Sequence, residues 1–178
     1  VGTWRLLHEA HRSGLRRFVF VSSIDVLGVF KGHRTPDYLP LDDEHPCYPN
    51  TPYAISKRLA EEACSGFRAA HGLETVVLRP PGVWSAETYE DIKVHRRADP
   101  AYEWNPFWEY GAFLDVRDLA AAIERALVAD YPGTEPFGVA ADDLNSSEGE
   151  SLEWAQRIHP DVPIRDADQF AEDPYRTL

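Results

Sequence analysis

The sequence has no methionine and only two cysteines, and the scarcity of cysteine limits the metal sites and disulfides that it could form. Its 178 residues include two cysteines, Cys47 and Cys64, which lie 17 positions apart and outside any C-x-x-C pair. This spacing does not predict a zinc site, and we expect two reduced thiols in a cytoplasmic protein. Because the chain also opens on Val1, we expect a piece of a longer polypeptide.

Positive charge and long apolar runs are scarce as well. The 18 basic residues stand against 30 acidic ones, which leaves a formal net charge of −12. An acidic surface repels the phosphate backbone, so we expect no nucleic-acid partner. No apolar run approaches the roughly 20 residues that cross a bilayer, and no signal peptide opens the sequence, so we expect no membrane association.

What the sequence does contain is enough apolar material for one globular domain, arranged as alternating helix-like and strand-like segments. We predict an irregular region over 84–112 and a proline-rich loop over 29–52. The alternation predicts an α/β fold with right-handed crossovers and a parallel sheet. The predicted helices are 2–13, 52–70, 118–130 (with Asp118 as N-cap) and 152–158, and the predicted strands are 17–23, 75–79 and 137–140.

Two of the predicted strands end in residues that suit a binding site. Ser22 and Ser23 close the first strand, and Pro80, Pro81 and Gly82 follow the next one. Ligands of open parallel sheets bind beyond the carboxyl ends of the strands. These residues therefore point to one face of the sheet.

Tyr53 and Lys57 stand four positions apart on a predicted helix and share one of its faces. An ammonium group beside a phenol lowers the pKa of the phenol, which would let a tyrosine transfer protons near neutral pH. Taken alone, the pair is more typical of a solvated helix face.

The pair does not stand alone, because five segments occur together in a characteristic order. The segments are VGTWRLLHEA (1–10), RFVFVSSIDVLG (17–28), PYAISKRLAEE (52–62), VLRPPGVW (77–84) and FLDVRDLAAAI (113–123). With these segments the sequence resembles the extended short-chain dehydrogenase/reductase family, the NAD-dependent epimerase/dehydratases. The resemblance implies a partial Rossmann-like parallel sheet with flanking helices, the second half of a doubly wound fold, and a small irregular substrate region.

The resemblance implies three catalytic residues. Ser23 would hydrogen-bond the substrate hydroxyl or carbonyl, Tyr53 would be the general acid/base, and Lys57 would bind the nicotinamide ribose and tune Tyr53. The implied reaction is oxidation of a secondary alcohol of a sugar or sugar nucleotide, with NAD or NADP as cofactor. An epimerase would return the hydride to the other face of the ketone, and a dehydrogenase would release the ketone.

The resemblance also implies residues around the cofactor and the substrate. Ser22, Pro80, Gly82 and Val83 would join Tyr53 and Lys57 in binding the cofactor, and Asp25 and Trp84 would join Ser23 on the substrate side. Only half of the family's dehydratase-type acidic pair is present, as Ile24 followed by Asp25, which argues against sugar dehydration. Asp25 is then either an auxiliary acid/base or a loop residue.

The glycine-rich turn that binds the cofactor pyrophosphate in this family is absent from the sequence. We therefore expect 1–178 to be a single partial domain that binds NAD poorly by itself, either a fragment or a naturally short protein. Its open sheet edge would be covered by the rest of the chain or by a second copy in a homodimer.

The alternative function is a non-catalytic dinucleotide-sensing or interaction module. In the domain, 1–83 and 113–141 would form the scaffold, and 84–112 and 142–178 would supply the substrate region and the C-terminal segment.

Two further clusters admit more than one interpretation. The aromatic residues Tyr102, Trp104, Phe107, Trp108 and Tyr110 could stack on a sugar ring or a base, or could simply be packing residues. The run 42–45 (DDEH) has a metal-like composition, but contiguous residues do not easily converge on one ion. We therefore predict a solvated loop there and no metal site.

Overall fold

The computed structural model describes residues 2–30, 34–99, 109–131, 133, 135–144 and 149–176. Within these residues, helices alternate with short strands, which confirms the predicted α/β class. The helices are Gly2–Arg12 (α1), Pro52–His71 (α2), Ala86–Ala98 (α3), Val116–Val128 (α4), Ser151–Ile158 (α5) and Ala167–Glu172 (α6). The strands are Arg17–Val21 (β1), Glu74–Arg79 (β2), Val83–Trp84 (β3), Leu114–Asp115 (β4) and Phe137–Gly138 (β5).

The main sheet has the order β1-β2-β5 and is parallel throughout. Val21 at the end of β1 lies beside Leu78 of β2, and Leu78 lies beside Phe137 of β5. A second parallel pair, β3 with β4, follows the turn after β2. The carboxyl ends of the three strands of the main sheet therefore meet at one edge, where the sequence predicted a site.

Helices cover both faces of this sheet. Val77 of β2 packs with Leu7 of α1 and Phe67 of α2, whereas Val76 and its neighbours face α4. This alternation follows from the two-residue period of a strand, which sends successive side chains to opposite faces. The sheet thus has the sandwiched, apolar character of a doubly wound fold.

A third core joins the long loop after β1 to the C-terminal helices. Leu39 is fully buried in it, its N–H donates to the carbonyl of Pro163, and its own carbonyl accepts from Arg165 N–H. The loop is therefore fixed against the C-terminal segment, which forms α5 and α6. The sequence analysis predicted α5 but not α6.

Gly28 occupies the turn at which the long loop after β1 begins. It has a φ of 71°, and a Cβ at this position would lie 1.8 Å from the carbonyl oxygen of Tyr48. Only glycine allows both this conformation and this close approach. Asn50 secures the same point, because its amide donates to the Gly28 carbonyl at 3.0 Å.

Several predicted boundaries were wrong. The region 84–112 is not wholly irregular, because 86–98 forms α3 behind a capping box in which Ser85 and Thr88 exchange hydrogen bonds. Helix α4 begins at Val116, and its N-cap is Asp115, whose carboxylate accepts from Arg117 N–H at 2.8 Å. Asp118, the predicted cap, lies in the first turn instead.

The first and third predicted strands are shorter than predicted. The first ends at Val21, and the third is only Phe137–Gly138. In the part of the chain that the structure describes, no helix combines the length and apolar character that crossing a bilayer requires.

Candidate active site

Ser22 and Ser23 follow β1 and lie against the end of β2. Ser22 N–H donates to the carbonyl of Leu78 at 2.7 Å, and Ile24 N–H donates to the carbonyl of Pro80 at 3.1 Å. Ser23 is the N-cap of the short 3₁₀ helix Ile24–Leu27, and its hydroxyl oxygen accepts from Asp25 N–H at 3.1 Å. Both serines are therefore fixed at the carboxyl edge of the sheet, beside the turn that follows β2.

Helix α2 brings Tyr53 and Lys57 to the same edge. Thr51 caps the helix, and Pro52 occupies its first turn, where a missing N–H costs nothing. The Lys57 ammonium donates to the carbonyl of Val21 at 2.8 Å, two residues before Ser23. It lies 5.6 Å from the centre of the Tyr53 ring, which is half exposed. The structure thus brings the three predicted catalytic residues into one neighbourhood.

The Lys57 amine is partly buried, and its surroundings affect its charge in two ways. Burial lowers the pKa of Lys57 below its ordinary value, and the negative charge of Glu61 opposes that shift. The amine also lies 5.3 Å from the centre of the Phe20 ring. A weakly solvated ammonium of this kind exerts a stronger field on a nearby phenol than one in bulk water.

A buried ion pair, which the sequence analysis missed, lies directly behind these residues. Glu61 accepts from Ser22 Oγ at 2.6 Å and from Arg79 Nε and Nη2 at 3.0 and 2.8 Å. Burial raises the pKa of the Glu61 carboxyl, but the hydrogen bonds from Arg79 and Ser22 outweigh it and hold the pKa below its ordinary value. The spacing could have singled out Glu61 but not its partners, because Tyr53, Lys57 and Glu61 follow one another at four-residue intervals on one helix face.

The turn after β2 lies next to Ser23, as predicted from the order of the strands. Pro80 is buried, and its carbonyl accepts from Ile24 N–H. The Gly82 carbonyl accepts from Leu114 N–H at 3.0 Å, and Val83 begins β3 with an exposed side chain. The turn is thus held by backbone hydrogen bonds on both sides.

A cavity of about 640 Å³ opens beside this turn. It lies between the loop after β1, the carboxyl ends of β2 and β5, and the C-terminal segment. Ile24 and Pro81, the sequence neighbours of Ser23 and Pro80, form part of its wall, whereas Ser23, Tyr53 and Lys57 are not among its lining residues. Its charged and amide-bearing lining consists of Asp42, Asp43, Arg79, Asp142, Asp166, Gln169, Asp173 and Arg176.

Other candidate residues have different surroundings. Trp84 packs against Phe113 and Tyr89, with ring centres 4.7 and 5.3 Å apart. Tyr110 is buried, and its hydroxyl donates to the Val29 carbonyl at 2.6 Å, so it is a packing residue. The other aromatic candidates, Tyr102, Trp104, Phe107 and Trp108, lie outside the described residues.

The predicted solvated loop at 42–45 was wrong for His45. This side chain is almost completely buried, and its Nε2 accepts from Asp37 N–H at 3.1 Å. The sequence did not reveal this because the loop folds back against its own aromatic residues, including Tyr38. In the described ranges, no three acidic, histidine or cysteine side chains converge on a point that could hold a metal ion.

Comparison with known proteins identifies the family of this chain. The family model described as the NAD dependent epimerase/dehydratase family matches residues 1–136. The chain belongs to this family. Its fold, with Ser23, Tyr53 and Lys57 at one sheet edge, is therefore that of an enzyme family, the extended short-chain dehydrogenase/reductases.

Individual relatives agree with the family match but are longer. A uronate dehydrogenase from Pseudomonas syringae is 32% identical over 158 residues, which are 88% of this chain and 47% of that protein. A UDP-glucose 4-epimerase from Rhizobium meliloti is 34% identical over 79 residues, which are 44% of this chain and 22% of that protein. The chain thus spans about half the length, or less, of these relatives.

A solved structure that is similar to this chain is likewise longer than it. A short-chain dehydrogenase/reductase superfamily protein from Agrobacterium tumefaciens, solved with bound NAD, is similar with a TM-score of 0.59 and 25% identity. The match covers 92% of this chain and 58% of that one.

Proposed function

We propose that this chain carries the proton-transfer half of an NAD(P)-dependent oxidoreductase or epimerase that acts on a secondary alcohol of a sugar or sugar nucleotide. The observation that carries the proposal is the hydrogen bond from Lys57 to the Val21 carbonyl. It joins the helix face bearing Tyr53 to the strand end bearing Ser23, beside the 640 Å³ cavity.

The residues of the chain divide the proton transfer between them. The Ser23 oxygen already accepts from Asp25 N–H, and the serine hydroxyl would donate its own proton to a substrate oxygen. Tyr53 takes the proton of the substrate hydroxyl, and the Lys57 charge stabilises the phenolate that does so. Asp25 and Trp84 are proposed for the substrate side, because Asp25 follows Ser23 in the 3₁₀ helix and Trp84 follows the turn after β2.

The described residues fit one end of the cofactor. An ammonium has three donors, and Lys57 uses one on the Val21 carbonyl, which leaves two for the ribose hydroxyls. Pro80, Gly82 and Val83 would surround the nicotinamide, which supplies the hydride acceptor when bound. Ser22 would contribute only through its backbone, because its side chain is buried and its hydroxyl donates to Glu61. The sequence contains no glycine-rich turn for the pyrophosphate, so we propose that the remaining contacts lie elsewhere in the complete enzyme.

The experiment measures reduction of NAD and of NADP by the complete polypeptide over a panel of aldoses, uronic acids and sugar nucleotides. Tyr53→Phe should abolish turnover and leave the circular dichroism spectrum unchanged. Tyr131→Phe is the matched control, because the Tyr131 hydroxyl bonds to Glu135, away from the cavity. A Tyr53→Phe enzyme that reduces the cofactor at the wild-type rate would refute the proton-transfer role.

We also propose that the complete enzyme is a homodimer. Three apolar side chains on α1 and α2, those of Leu6, Ile55 and Leu59, are exposed over 62%, 44% and 64% of their surface. Ile55 and Leu59 stand four residues apart on one face of α2, and contiguous exposed apolar side chains are typical of an interface. Sedimentation equilibrium should give twice the monomer mass, and Leu59→Lys should shift it to the monomer. A monomeric wild type would contradict the assignment.

We further propose a cytoplasmic location, which is supported by the free thiols of Cys47 and Cys64. Fractionation of the native cells tests it, and recovery outside the cytoplasmic fraction would refute it.

A further inference from the structure

Glu61 is the most heavily bonded buried acid in the described site, and the proton-transfer scheme does not use it. Its side chain is only 4% exposed. Besides Ser22 and Arg79, it accepts from Arg58 Nη1 at 3.0 Å. Burying a carboxylate is costly unless it is paired and hydrogen-bonded, so this degree of pairing raises the question of what the charge does.

The contacts of Glu61 join α2 to the ends of β1 and β2. It lies on α2 one turn after Lys57 and binds Ser22 at the end of β1 and Arg79 at the end of β2. Ser22 stands between Val21, whose carbonyl binds Lys57, and Ser23. The Glu61 side chain is therefore the junction at which the helix face and both strand ends are joined.

We propose that Glu61 is a positioning residue which holds the helix face of Tyr53 and Lys57 against the strand ends, so that the Lys57 amine stays on the Val21 carbonyl beside the Tyr53 ring. This inference rests on the proposed function, because it assigns the positioned groups the roles given above. It goes beyond that function because it assigns a role to the buried Glu61 carboxylate, which acts on the site through Lys57.

The electrostatic part of the argument depends on which charges face this junction. Arg58 and Glu62 lie on the same helix and bind each other at 2.6 Å. The Arg79 guanidinium faces the junction from β2. The Cys47 sulfur of the loop lies 3.4 Å from Arg79 Nη2, and Asp43 lies farther away. Among these groups, Glu61 is the acid whose charge raises the pKa of Lys57 against the effect of burial.

The test follows the titration of Lys57 by NMR in the full chain, with lysine labelled with ¹³C at Cε. The Lys57 signal is identified by its loss in Lys57→Arg. Glu61→Gln should shift the titration to lower pH, because the burial remains and the counter-charge is gone. Glu61→Asp, which restores the charge, should return the titration toward the wild-type position.

Glu62→Gln is the matched control, because it makes the same change at the next residue, whose side chain is 59% exposed. Its Lys57 titration should equal that of the wild type. If Glu61→Gln and Glu62→Gln give the same Lys57 titration, the positioning role is overturned and the ion pair is merely structural.

Loss of folding in Glu61→Gln does not prevent the test. The comparison is then made between Arg79→Gln and the double variant Glu61→Gln/Arg79→Gln, in which both buried positions carry neutral amides. An unchanged Lys57 titration between these two proteins overturns the proposal. Because the readout needs no turnover, its failure is separate from a failure of the proposed function, which Tyr53→Phe tests.

Discussion

The Arg79 guanidinium binds both carboxylate oxygens of Glu61, and the two side chains are only 5% and 4% exposed. The chain contains a second Arg–carboxylate pair of the same bidentate form, between Arg117 and Asp115, in which the arginine side chain is 85% exposed. The two pairs share their geometry and differ in the burial of the arginine, since the Asp115 side chain is itself only 11% exposed. They therefore offer a direct comparison of what burial contributes.

Arg79→Met should lower the free energy of unfolding by about 3–5 kcal/mol, because it leaves the Glu61 carboxylate buried without its main partner. Arg117→Met should lower it less, because the Asp115 carboxylate, although only 11% exposed, keeps its hydrogen bonds from the Tyr89 hydroxyl and from the backbone N–H of residue 117. Urea denaturation of both variants at pH 7 measures the difference. Equal destabilisation by the two substitutions would contradict the dependence on burial.

Gly28→Ala should destabilise the fold much more than Gly14→Ala. Both glycines have nearly the same positive φ, 71° and 68°, so both substitutions incur the cost of a left-handed alanine, about 1–2 kcal/mol. Only at Gly28 would the new Cβ meet a backbone oxygen, that of Tyr48. Thermal unfolding of the two variants separates the clash from the conformational cost, and equal melting temperatures would count against the clash.

Ser23→Ala should reduce turnover by about 10²-fold or more, because it removes a donor to the reacting oxygen. It should also cost about 1 kcal/mol of stability, because Ser23 caps the 3₁₀ helix. Ser85→Ala is the control: Ser85 caps α3, so a similar stability loss with normal turnover is expected. Similar turnover in the two variants would assign Ser23 a capping role alone.

Cys64 should be inert toward thiol reagents in the folded protein. Burial raises the pKa of Cys64 to about 12, so the reactive thiolate is scarce at pH 8. Cys47 is only half buried and should react. Titration with a chromogenic disulfide in the native state should label Cys47 and spare Cys64, and denaturant should expose both. Rapid labelling of Cys64 in the Cys47→Ser variant without denaturant would contradict this.

The sequence was informative wherever a short-range pattern decides the structure. Strand β1 and helices α1 and α2 were predicted to within about two residues at each boundary, because apolar runs, Pro52 and Gly72 act locally. The polar helix α3 was missed, because its stability comes from the Ser85–Thr88 capping box and not from a buried apolar stripe.

Some residues of the candidate site could be predicted from the sequence, and others could not. Ser23, Tyr53 and Lys57 could be chosen from motif spacing, since spacing on one strand and one helix is a property of the chain. Glu61 could not be paired with Ser22 and Arg79 from spacing alone. These residues lie 39 and 18 positions away from it, and only the packing of α2 across the ends of β1 and β2 brings the three together.

The sequence by itself determined the α/β alternation, the family segments and the residues that we propose for proton transfer, because these depend on residue type and local period. Tertiary structure alone decided which polar groups are buried together. His45 and Glu61 look like surface residues in the sequence, yet both are enclosed. Enclosure depends on surfaces contributed by distant segments, and it determines whether a charge is solvated by water or held by neighbouring side chains.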